Sequence, residues 1–152
     1  MFTNFEIMLK PKQEVIKFFF LSGTITLKRR KELKHFLLKV IKREGHKVQA
    51  INYVFCSDAY LLDINRRYLN HNFYTDIITF QLSEKNKDIE AEIYISMDRV
   101  RDNAVRHGEH LGIELHRVIF HGVLHLCGYN DKTEKERAIM RNKEGELIKE
   151  YV

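Results

Sequence analysis

Residues 121–131 read HGVLHLCGYND, in which His121 and His125 stand four apart inside an apolar run. On a helix, residues at that spacing differ by about 40° in direction, so both imidazoles project from one side, one turn apart, as a chelating pair requires. Gly128 lets the chain leave a helix in the left-handed conformation, and Asp131 then arrives on the returning segment. Two imidazoles and a carboxylate leave a fourth position for water, the arrangement of a catalytic zinc site rather than a closed structural one. Asn130 competes for the third place by adjacency, but its neutral amide oxygen is a poor zinc donor, whereas a carboxylate is an accepted one. The same donors are those of the non-heme iron facial triad, so zinc is the first choice and nickel, iron and manganese stay open. A zinc protease helix carries a glutamate beside its first histidine as general base; here that position is Gly122, which disfavours peptide hydrolysis.

These residues need a scaffold, and the apolar periodicity supplies one. A strongly apolar helix runs from about Gly112 to Cys127, ended by Gly128. Upstream, Leu33, Phe36, Leu37, Val40 and Ile41 form one helical stripe from Lys28 to a stop at Gly45. Ser57 caps a helix to about Leu69 with Leu61, Ile64 and Tyr68 facing inward, and Ser96 caps another from Met97 to His107. Thr133-x-x-Glu136 is a capping-box pattern opening a last helix towards Val152. Phe5–Leu9, Val15–Leu21, Val48–Phe55, Ile77–Gln81 and Ile89–Ile95 read as strand candidates, the first two flanking a turn at Lys10–Pro11–Lys12 and the second of them also open to a helical reading. The elements do not follow a strict βαβ rhythm. The expectation is a single α+β domain over residues 1–152, a small mixed sheet of about four strands packed with about five helices, one of them a zincin-like metal helix.

Length and composition agree with one soluble domain: 152 residues, 44% hydrophobic and 31% charged. The formal charge of +5 biases the chain towards an anionic partner. Cys56 and Cys127 are distant, form no CxxC pair and lie in apolar runs, so both are expected as reduced core thiols. The N-terminus lacks a secretory signal pattern and the FFFL run at 18–21 is far too short to span a membrane, so the expected location is cytoplasmic. Lys28–Arg29–Arg30–Lys31 opens a helix, where cations oppose the dipole; a phosphate contact or a solvated end would each account for it.

The metal stretch resembles the signature HGxLHLxGYDH of the YbeY-type bacterial endoribonucleases, or rRNA maturation factors, matching at His121, Gly122, Leu124, His125, Leu126, Gly128 and Tyr129. A second block of that family, LNxxYR followed by TDVLSF, is similar to INRRYLNHNFYTDIITF at 64–80, and AEIYIS at 91–96 is similar to its GDIxIS. The resemblance spans about residues 48–131. It implies a compact α+β fold, a three-ligand metal usually assigned as zinc, and cleavage of single-stranded RNA in small-subunit (16S) ribosomal RNA 3′-end maturation and ribosome quality control. The implied partners are pre-rRNA and the small ribosomal subunit or its proteins, with no membrane. Two departures stand out: Asp131 replaces the family's third histidine, with Asn130 before it, and Leu69 replaces an arginine that follows the tyrosine.

With that arginine missing, Arg66 is the first candidate and Arg67 the second for a cation that stabilises charge on the phosphoryl oxygens. Glu114, two helical turns before His121, could receive an imidazole N–H or equally make an ion pair with a neighbouring strand or helix. Thr75 and Asp76 match the family's TD pair and are expected to support the edge of the site, while the other six histidines share no chelating geometry with the pair. Two other functions compete: a ribosome-associated RNA-binding factor with a structural metal, and a metal-dependent hydrolase of peptides or small molecules.

Overall fold

Four strands, β1 (Ile16–Phe20), β2 (Val48–Cys56), β3 (Ile77–Gln81) and β4 (Ile89–Ser96), pair in the order β1-β2-β4-β3. The computed structural model describes residues 14–21 and 26–152; the expected Phe5–Leu9 strand and Lys10–Pro11–Lys12 turn lie outside them. β1, β2 and β4 run parallel, and β3 joins antiparallel at the edge, with Phe18 opposite Tyr53, Tyr53 opposite Ile93 and Ile93 opposite Thr79. Five helices accompany them: α1 (Arg30–Arg43), α2 (Asp58–Leu69), α3 (Met97–Arg106), α4 (Leu111–Leu126) and α5 (Glu134–Tyr151). The architecture is α+β with a mixed sheet, as the element order predicts.

The period-two alternation of the strands divides the apolar residues between two faces. Ile51, Tyr53, Phe55, Ile93 and Ile95 are fully buried on one face and join α1, α4 and α5 in a single core cluster reaching from Ile16 to Leu147. On the other face Cys56 and Ile78 form a smaller cluster with Leu61 and Ile64 of α2. Tyr68, expected to face inward, is 70% exposed: it lies beyond that cluster, its ring edge-on to Phe80 of the edge strand β3 at 6.1 Å.

α4 is held to the sheet closely. The Tyr53 hydroxyl donates to the carbonyl of Ile119 at 2.8 Å, giving a buried phenol its partner and tying α4 to β2. One turn on, Gly122 faces β3 and β4 so tightly that a Cβ there would stand 3.1 Å from methyl carbons of Ile77 and Ile93. The position beside the first histidine is therefore a packing position, and a catalytic glutamate there would be driven into the core. Among the described residues no helix is long and apolar enough to cross a membrane.

The capping chemistry read from the chain is present. The Ser57 hydroxyl accepts from the amide of Tyr60, that of Ser96 accepts from Arg99, and Thr133 and Glu136 form a reciprocal capping box. Cys56 and Cys127 are free thiols, the first buried and the second half-buried.

Candidate metal centre

α4 ends in a Schellman turn. Gly128 adopts φ +100°, its amide donates to the carbonyl of His125, and the amide of Tyr129 donates to that of Leu124. This turn swings the chain back over the final helical turn and delivers Asp131 to the two histidines. The imidazoles of His121 and His125 stand nearly perpendicular, 84° between planes and 4.5 Å between centroids. Asp131 Oδ2 lies 3.3 Å from Nε2 of His121 and 3.3 Å from Nε2 of His125.

A tetrahedral ion with bonds of about 2.0–2.1 Å sets its ligands about 3.3–3.4 Å apart, which these two separations match. The three donor atoms all lie within 4.8 Å of one another, and the donor set of two imidazoles and one carboxylate suits a divalent cation. The residues present fit a metal.

Behind His121, Glu144 of α5 approaches Nδ1 at 3.4 Å, which aims Nε2 towards Asp131. Burial disfavours the charged form of this imidazole, but Glu144, Asp131 and Asp76 outweigh it and raise its pKa. Asp76 is itself raised, chiefly by burial; its side chain accepts from the amide nitrogen of Asn103 and its backbone carbonyl from the amide of Ser96.

The triad opens onto a cavity of about 580 Å³ that is also lined by Asn65, Leu69, His71, Phe73, Thr75, Asp76, strand β3 and Lys132. Thr75 and Asp76 thus stand at the edge of the site where the sequence puts them. Asn65 and Leu69, one turn apart, occupy the cavity side of α2. Arg66 and Arg67 begin about 100° and 200° round the helix from Asn65 and do not line the cavity. The Arg66 Nε donates instead to Asn72 Oδ1 at 2.6 Å, and Arg67 pairs with Asp63 at 3.1 Å. Glu114 makes an ion pair rather than receiving an imidazole N–H. It is buried beside Arg117 Nε at 3.4 Å and His107 Nδ1 at 4.0 Å rather than beside a triad imidazole. Seven residues of helix rise is about 10.5 Å, so a shared face did not bring it to the ligands.

Glu144 was missed by sequence reading, although a signal exists: Met140, Glu144 and Leu147 make one buried stripe on α5, and an acid within an apolar stripe asks for a partner. Of the basic run at 28–31, Arg29 pairs with Glu32 at the surface and the Arg30 guanidinium lies 4.3 Å over the Phe20 ring.

The family model described as Endoribonuclease YbeY matches residues 22–152. An Endoribonuclease YbeY of Cytophaga hutchinsonii is 49% identical over 133 residues, covering 88% of this chain and 93% of that one. Its counterpart in Parabacteroides distasonis is 45% identical over 120 residues, covering 79% and 84%. Among solved structures, the solution structure of TM1509 from Thermotoga maritima superposes with a TM-score of 0.62 at 29% identity, covering 90% of this chain and 88% of that one. With a shared fold, a matching family model and relatives this close, the chain belongs to the Endoribonuclease YbeY family.

Proposed function

We propose that this chain is a zinc-dependent endoribonuclease that cuts single-stranded RNA, acting in the cytoplasm on 16S ribosomal RNA precursors and in ribosome quality control. The observation that carries the reading is the pair of 3.3 Å separations from Asp131 to His121 and His125, on the wall of a cavity large enough for a nucleotide.

His121, His125 and Asp131 would hold the ion, and Glu144 would keep His121 in the tautomer whose Nε2 is a free donor. When bound, the ion supplies Lewis acidity towards a phosphoryl oxygen and lowers the pKa of water. Because only one of the three ligands is anionic, the centre keeps net positive charge towards a phosphodiester. Lys132 follows Asp131 directly and is the one lysine or arginine among the described residues lining the cavity. Lys132 on this side and Arg141, which lines the adjoining clefts with His121 and Asp131, are the cations that take the charge-stabilising role expected for Arg66 and Arg67, while Glu114 pairs with Arg117.

The test is cleavage of a labelled, unstructured RNA and of its duplex by metal-loaded wild type and His121→Ala. Cleavage of the single strand alone, lost in the variant, is the expected result. Wild type that binds the strand without cutting it would make the protein a binding factor.

A further inference from the structure

The metal cavity carries an aromatic pair that the chemistry above does not use. The His71 and Phe73 rings stack at 5.0 Å between centroids and 23° between planes, and both line the cavity that holds the triad. Phe73 is 56% exposed and Leu69 beside it in the lining is 40% exposed, so this wall offers flat, apolar surface where the family pattern would offer a cation. The segment bearing the rings is not loose. Asn70 caps α2 in the left-handed conformation, and the amide of His71 donates to the carbonyl of Asn65 at 3.1 Å. The Asn65 side chain, itself buried, donates to the carbonyl of Phe73 at 2.9 Å, and Arg66 holds Asn72. The rings are thus placed before any ligand arrives, which limits the ordering cost of binding.

We propose that Phe73, backed by His71, is a stacking platform for an unpaired nucleobase of the nucleotide beside the phosphate to be cut; this rests on the reading of the substrate as single-stranded RNA. Every base has a π face, so such a platform tolerates any sequence. A base in a duplex already has both faces covered and must be unstacked before it can use the ring. The platform therefore contributes to discrimination between single and double strands, a task for which a metal and a lysine are unsuited because both forms carry the same phosphates.

The experiment compares the zinc-loaded full chain with Phe73→Leu, which keeps apolar bulk but loses the ring, and with Phe73→Trp, which keeps a ring. The substrate is an unstructured RNA oligonucleotide, intact or with one abasic nucleotide moved along it. Stacking worth about 1–3 kcal/mol per base predicts a KM about tenfold higher for Phe73→Leu, with the effect mainly on KM rather than kcat. Phe73→Trp should restore wild-type KM. An abasic nucleotide at one position should raise the wild-type KM to the same degree and leave Phe73→Leu unaffected. An unchanged KM in Phe73→Leu, or a loss that Phe73→Trp does not restore, would overturn the platform while leaving the nuclease reading intact. A wild type that cuts no RNA would overturn both.

Discussion

Glu144 of α5 stands 3.4 Å from Nδ1 of His121 on α4, so the orientation of a metal-site imidazole is set by the last helix of the chain. The carboxylate is buried, and its second oxygen has no hydrogen-bond partner within the protein. A buried acid of this kind is costly to the fold unless it serves another group. Replacing it by leucine should weaken zinc binding about 10–100-fold, the usual effect of removing the partner of a ligating histidine. Competition titration with a chromophoric chelator measures this directly. Unchanged affinity with a lowered Tm would mean that Glu144 is a structural residue only.

Two glycines should respond to alanine with opposite signs. At Gly122 the new methyl meets Ile77 and Ile93 at 3.1 Å, and overpacking of that kind costs about 1–3 kcal/mol. At Gly145, inside α5, nothing lies within 4 Å of the new Cβ, and the helix should gain about 0.5–1 kcal/mol. Urea unfolding of the two variants checks both, and equal effects would contradict the close seating of α4 on the sheet.

Burial pushes the thiols of Cys56 and Cys127 up to about 12, by penalising the thiolate. At pH 8 about one molecule in ten thousand would then carry a given thiolate, and the fraction rises about tenfold per pH unit. Iodoacetamide should accordingly label the native protein far more slowly than the urea-unfolded chain, and faster at pH 9 than at pH 8. Labelling of native protein at the rate of free cysteine would contradict the placement of both side chains.

What could be read from the sequence was what is local. His121, His125, Gly128 and Asp131 lie within one helix end and its return turn, so helix geometry and a left-handed glycine nearly determine their meeting. The caps at Ser57, Ser96 and Thr133 were legible for the same reason. Glu144 comes from 23 residues away and depends on how α5 packs on α4, which periodicity alone does not specify. Arg66 and Glu114 show where helix geometry stops: Arg66 begins about 100° round α2 from the cavity side and turns to Asn72, while Glu114 shares nearly the direction of the ligands but lies about two turns short of them. The loop bearing His71 and Phe73 has no periodic pattern, and its shape is set by the buried Asn65.

The most direct test is the metal content of protein purified without chelating resin, for wild type, His121→Ala and Asp131→Ala, each checked for folding by circular dichroism. The account predicts about one equivalent of zinc in wild type and its loss from both folded variants. A folded Asp131→Ala protein that keeps a full equivalent at wild-type affinity would contradict it.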